Sequence, residues 1–216
     1  MKFYFLFILV FNICITFSQQ DPDAKSILDK VANKTKSYST IKCEFSVNIN
    51  DKKSQKSNNL KGKVYIKGEK YRYESQNNII YFDGKYLYTY YTDENEISIS
   101  DVSPDDEDIL NNPVRIINLY NKDFKYRYNG ITRINNRESY EIDLFPKNLK
   151  QPYTRIKIFI DSTNLYLNKA IIYGKDGVDI IITLDKYQFN MNLSDKFFVI
   201  QDDILKKAEV IDLRKK

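Results

Sequence analysis

The sequence predicts a mostly β (α+β) protein. Its core is a single curved antiparallel sheet of about 10–11 strands forming an unclosed barrel, covered by an N-terminal helix and a short internal helix. Three observations predict it. Apolar and polar residues alternate through most of the stretch from Ile41 to Phe189, the pattern of strands dry on one face and wet on the other. Turn residues break that alternation at short intervals, as at Asp83-Gly84, Asn135-Asn136 and Lys175-Asp176-Gly177,. Helical spacing occurs in only two segments, one opening at Pro22 and one at Pro113. So large an antiparallel sheet must twist and curl, so its dry face becomes the inside of a trough and the helices its natural covers. A fully packed β-sandwich has the same periodicity, and periodicity alone does not separate the two.

The first segment reads as a targeting signal. Met1-Lys2 supplies a positive start, Phe3 to Val10 is wholly apolar, and Thr16-Phe17-Ser18 precedes Gln19. That layout predicts a secretory signal over residues 1–18, cleaved after Ser18, leaving one domain over 19–216. Cys14 follows an apolar run, but Asn12 and bulky Ile13 precede it, so lipid anchoring there fits poorly. Asp21-Pro22 then opens a helix, with an acid at the N-cap and proline where its missing N–H costs nothing. Ala24, Ile27, Leu28, Val31 and Tyr38 recur at helical spacing, and the helix should end near Ser37,.

From Thr40 the period becomes two. Ile41 to Ile49 is a strand, polar Asp51 to Asn59 a loop, and Leu60 to Ile66 the next strand. Lys70 to Ser75, Ile79 to Phe82, Tyr86 to Tyr91 and Ile97 to Ser100 continue a meander, with the hairpin signal Asp83-Gly84 inside it,. An acidic stretch, Asp101 to Asn112, precedes the short helix that carries Val114, Ile116, Ile117, Leu119 and Tyr120. Strands resume at Phe124 to Tyr128, Ser139 to Phe145, Thr154 to Ile160, Leu165 to Tyr173 and Asp179 to Phe189, and Asn129-Gly130 reads as a turn,.

Composition removes several kinds of chemistry. There is no histidine, hence no Ser-His or Cys-His nucleophile and not the commonest metal ligand. No glycine-rich phosphate loop or Cys-x-x-Cys pair appears, and no cofactor is expected. Asp105-Asp106-Glu107-Asp108 lacks the alternating ligands and central glycine of a calcium loop. Glu138, Glu141 and Asp143 could serve glycoside hydrolysis, but the wet face of a strand accounts for them equally. Cys43 lies in the alternating run and reads as a small buried hydrophobe. The net charge is +5, with lysines and acids interspersed, so no basic stripe points to nucleic acid. The positive signal is aromatic: 18 tyrosines and 13 phenylalanines with no tryptophan. Tyrosines pack across strands, and they also suit an apolar cavity with a watery mouth.

At this point the residues resemble a family. Ile27 to Val31, Ile41 to Ile49, Gly62-Lys63-Val64-Tyr65-Ile66-Lys67, Tyr71-Arg72-Tyr73-Glu74, and Asp83-Gly84-Lys85 followed by Leu87-Tyr88 and Tyr90 follow one another as in the LolA-type periplasmic carriers of outer-membrane lipoproteins. Asp195 to Phe198 and Val210 to Leu213 resemble that family's closing segment. The resemblance implies a monomeric periplasmic chaperone, not an enzyme. It would bind the acyl chains of lipoproteins released by an inner-membrane transporter and ferry them to an outer-membrane acceptor. A lipid-binding sensor or acceptor of the same fold, which does not shuttle cargo, is the alternative. Val64, Ile66, Tyr71, Tyr73, Leu87, Ile142, Leu144, Ile156 and Ile158 would line the acyl-chain cavity, faced by Ile116, Ile117 and Tyr120. Ordinary core is the competing reading for each. The family's latch arginine, expected after the second strand, is replaced by Gly68-Glu69, which leaves nearby Arg72 as the candidate lid contact. The role makes physical sense: roughly 45 acyl CH₂ groups at roughly 0.8 kcal/mol each forbid free diffusion through water.

Overall fold

The computed structural model describes residues 20–101, 120 and 122–214. The signal segment with Cys14, the run Asp105–Asp108, and Val114 to Leu119 of the internal helix, including Ile116 and Ile117, lie outside the described residues.

Helix α1 spans Pro22–Ser37. Asp21 caps it, one carboxylate oxygen accepting from the Asp23 and Ala24 amides at 3.0 and 3.1 Å, which satisfies donors that the helix itself cannot. Its buried stripe is Ala24, Ile27, Leu28, Val31 and Ala32. Tyr38, expected in that stripe, instead leaves the helix in extended conformation and stacks its ring on Phe189 at 4.0 Å.

Twelve strands form one sheet. β1 (Ile41–Asp51) and β2 (Lys56–Lys67) are a long hairpin, followed by β3 (Lys70–Ser75), β4 (Asn78–Phe82), β5 (Tyr86–Tyr91) and β6 (Glu96–Asp101). A second meander holds β7 (Phe124–Ile134), β8 (Arg137–Pro146), β9 (Tyr153–Asp161), β10 (Leu167–Gly174) and β11 (Val178–Phe189), and β12 is Glu209–Asp212. The spatial order is β12-β6-β5-β4-β3-β2-β1-β11-β10-β9-β8-β7, so pairing of β1 with β11 joins the two meanders. β7 and β12 are the two edges, and the barrel stays open between them. All pairings are antiparallel except that of β12 with β6.

Two turns differ from expectation. The loop expected over Asp51 to Asn59 shrinks to four residues. The Asp51 carboxylate accepts from the Lys53 and Ser54 amides, and Gln55 takes a positive φ of 54°, which closes the hairpin early. Asn129-Gly130 is not a turn. It lies inside β7 as a bulge, where the register slips between Tyr128 and Gly130 and Gly130 adopts φ 108°, a conformation that glycine alone reaches cheaply. The true hairpin is Asn135-Asn136, both with positive φ, as a tight β-turn between twisted strands requires.

The sheet has two apolar faces. The inner face packs with the α1 stripe into the main core. On the outer face of β4–β6, Tyr81, Ile97 and Ile99 pack with Ile200, Ile204 and Leu205. Those last three belong to a C-terminal strap that includes a 3₁₀ turn (Asp195–Phe198) and a helical turn (Asp202–Leu205).

Candidate functional site: the covered inner face

Strand register brings the predicted lining residues together in two walls. In the first, Val64 lies opposite Tyr73 and Ile66 opposite Tyr71, Tyr71 opposite Phe82, and Phe82 opposite Leu87. In the second, Ile142 faces Ile158 and Leu144 faces Ile156. Val64, Tyr71, Tyr73, Tyr120, Ile142, Leu144, Ile156 and Ile158 are all buried in one cluster with Leu28 and Val31 of α1, with Ile66 and Leu87 partly buried against it. Between the walls lie residues that sequence reasoning does not single out, notably Phe45, Ile172, Ile182 and Leu184. Their alternation is visible in the sequence; that the β1–β11 pairing sets them between the two walls is not. Phe45 stacks on Tyr73 at 4.9 Å and lies over Gly62, where a Cβ would come within 2.5 Å of its ring.

The cover is fastened by polar contacts. The second carboxylate oxygen of Asp21 accepts from the Tyr128 amide at 2.8 Å, tying the start of α1 to edge strand β7. The Tyr120 hydroxyl donates to Asp29, which also pairs with Lys25 at 2.6 Å. Burial, then the hydrogen bond to Asp29, pushes the Tyr120 hydroxyl well above the ordinary tyrosine range. The bond to Lys25, then that from Tyr120, holds Asp29 below the usual carboxylate value. At Asp21 burial pulls upward, but three backbone amide bonds outweigh it and leave the group lowered.

Among the described residues Arg72 contacts the C-terminal strap and not α1. It alternates with Tyr71 and Tyr73 and so points to the outer face. There its guanidinium lies between the rings of Tyr81 (5.0 Å) and Phe197 (4.6 Å) and pairs with Glu74 at 2.8 Å. It holds the C-terminal strap, on the side of the sheet opposite α1. Gly68, at the expected latch position, is a turn residue with φ 59° and open space around it.

Of the carboxylates weighed as acid–base candidates, Glu141 and Asp143 alternate with Ile142 and Leu144 and lie on the outer face. Glu141 pairs with Lys157, and Asp143 with Arg127 at 3.2 Å and Arg155 at 3.5 Å. A cleft on that face is lined by Glu44, Lys61, Lys63 and Glu74, away from the inner cluster. Cys43 is fully buried, and burial foremost pushes its thiol up to about 12.

Comparison with known proteins agrees with this architecture. The family model described as outer membrane lipoprotein carrier protein LolA matches residues 36–201. Among solved structures, an uncharacterized conserved protein from Thermus thermophilus superposes with a TM-score of 0.60 at 13% identity, covering 88% of this chain and 99% of that one. Lipoprotein LppX of Mycobacterium tuberculosis superposes with a TM-score of 0.49 at 12% identity, covering 81% and 98% of the two chains. No curated protein matches the chain. The family match spans the end of α1, β1 to β11 and the start of the strap, and on it the chain belongs to the LolA family of outer membrane lipoprotein carrier proteins.

Proposed function

We propose that this protein is a periplasmic chaperone that takes up the acyl chains of lipoproteins leaving the inner membrane and carries them to the outer membrane. Residues 1–18 act as its secretory signal and 19–216 form the carrier domain. The observation that carries the reading is the covered inner face: an apolar surface spanning an open sheet, closed by a helix that lays its own apolar stripe on it and is tied at its start by Asp21. The lining residues are buried beneath α1, so cargo enters only when α1 lifts. Lifting exposes the stripe from Ala24 to Ala32, and acyl chains then replace that stripe against Val64, Tyr73, Ile142 and Ile158. Release to an acceptor needs a bound state that can be destabilised, which reversible closure of α1 supplies. The inner-membrane transporter and the outer-membrane acceptor are the donor and receiver of this cycle.

The experiment mixes the purified chain, without residues 1–18, with membranes carrying a triacylated lipoprotein and its releasing transporter. A soluble one-to-one complex is expected, and α1 amides should exchange faster in the complex while those of β1 and β11 stay protected. Lipoprotein that stays in the membrane, where an established carrier extracts it, would sink the shuttle. Binding of detergent-solubilised lipoprotein without extraction would favour the sensor or acceptor of the same fold.

A further inference from the structure

One end of the sheet carries a feature that the carrier reading does not use. Four connections there are stitched into a continuous rim. The Lys147 amide donates to the Asp123 carbonyl at 2.8 Å, and the Lys147 ammonium to the Lys122 carbonyl at 2.8 Å. The Lys175 amide donates to the Pro152 carbonyl at 2.9 Å, and its ammonium to the Leu149 carbonyl at 2.5 Å. The Lys52 amide then donates to the Gly177 carbonyl at 3.2 Å. Residues 122–123, 147–152, 175–177 and 51–55 are thereby held side by side.

This rim is basic and has an apolar tip. It carries six lysines (52, 53, 122, 147, 150 and 175) against three aspartates; Lys52 is paired at 2.7 Å with Asp179, just beyond the rim, and the Lys147 and Lys175 ammoniums donate to the carbonyls named above. Two of those aspartates are engaged in their own turns: Asp51 with the Lys53 and Ser54 amides, and Asp176 with the Val178 amide. Leu149 stands out from the rim at 79% exposure, the highest among the exposed large hydrophobic residues. Its loop is not slack. Besides the bonds above, the Lys150 amide donates to the Asn148 side chain at 3.0 Å, and the Gln151 amide to the Asn148 carbonyl at 3.3 Å. A lone exposed leucine is ordinary on a protein surface; here a fixed loop presents it between Lys147 and Lys150, so that apolar and cationic contacts would be made together.

We infer that this rim docks on an anionic phospholipid surface, with Leu149 entering the headgroup boundary and Lys53, Lys122 and Lys150 facing lipid phosphates. Charge complementarity selects the occupant. These cations come from three separate connections and converge on no pocket. Such an arrangement suits a diffuse negative potential, whereas an acidic protein partner is read by fixed pairs. A single leucine plus several lysines gives weak, reversible attachment, since stable anchoring takes stronger signals. Docking would set one end of the inner face at the bilayer. The surface itself is separate from that face and does not depend on the carrier reading.

The test is co-sedimentation of the purified chain, without residues 1–18, with vesicles of phosphatidylcholine containing phosphatidylglycerol, beside pure phosphatidylcholine vesicles. Binding is expected only to the anionic vesicles and should fall steeply as salt is raised. Leu149→Asp, and separately Lys53→Glu with Lys150→Glu, should each weaken it by about tenfold or more. All three substituted side chains are exposed, and unchanged thermal melting would show that the variants fold. Equal binding to neutral vesicles, no binding to either, or undiminished binding by both variants would overturn the docking surface. So would soluble polyglutamate displacing the chain as well as excess anionic vesicles do, which would make the partner an acidic protein. Lipoprotein extraction is scored independently in detergent-free membrane assays, so either proposal can fail while the other stands.

Discussion

Gly62 shows how much of the inner face rests on single atoms. A Cβ there would lie 2.2 Å from the Glu74 carbonyl oxygen and 2.5 Å from the Phe45 ring, and the backbone of β3 cannot move aside without breaking its ladder. Gly62→Ala should therefore lower stability by about 1–3 kcal/mol, read as a lower urea midpoint with an unchanged slope. Cys43 makes the opposite case, a residue whose chemistry is silenced by its place. With no exposed surface and a thiol pushed up to about 12, it should ignore an aromatic disulfide reagent at mildly alkaline pH and react only once the chain is unfolded. Rapid native labelling would contradict that burial. Cys43 is legible in the sequence through its alternation with Ile41 and Phe45, whereas the close approach at Gly62, inside β2, appears only once β2 pairs with β3. The face that Arg72 takes is not legible in the sequence, because a strand's two faces cannot be named from alternation alone. Only the strap, arriving from more than a hundred residues away, shows which face is outside.

Helix α1 is the element whose stability bears on function, and its fastening has a sign. Asp21 and Asp29 both have folded values lowered below the ordinary 3.8. Their contribution is fully present above that ordinary value and is lost as pH falls through the lowered values. The sheet also has a lowered carboxylate, Glu44 paired with Lys186 across β1 and β11. There the backbone ladder holds the strands together, so α1 should loosen before the sheet does on acidification. Hydrogen exchange should show α1 amides losing protection at a higher pH than those of β1 and β11, and Asp29→Asn should remove part of that difference. Simultaneous loss across helix and sheet would show that α1 is no separate unit. At this scale the sequence speaks clearly where one residue decides the local geometry. Asp21-Pro22 marks the start of α1, and the strands are found by their period. It fails at Asn129-Gly130, because a bulge and a turn use the same glycine conformation. What separates them is whether the flanking segments pair with each other, and here both stay on β8.

Across the whole molecule, the proposed cycle makes closure and cargo compete for one surface. The open sheet, with β7 and β12 as unjoined edges, leaves the inner face accessible once α1 departs, and α1 is fastened at β7 through Asp21. In the proposed cycle only the fraction of molecules with α1 lifted accepts acyl chains, so the apparent dissociation constant would be the intrinsic one divided by that fraction. A change that weakens closure without touching the lining should then lower stability and tighten binding together. Asp21→Ala is such a change. It removes the N-cap, worth about 1 kcal/mol, as well as the tie to Tyr128, and it leaves Val64, Tyr73, Ile142 and Ile158 untouched. The expected outcome is a lower melting temperature and about fivefold tighter apparent binding of a fluorescent diacylglyceryl peptide. Leu144→Ala should also lower the melting temperature, by about 2–5 kcal/mol of stability, but it should weaken binding because it removes lining surface. The opposite response of the two variants is the discriminating result. An ordinary core beneath a permanent helix predicts that both lose stability and that neither gains affinity.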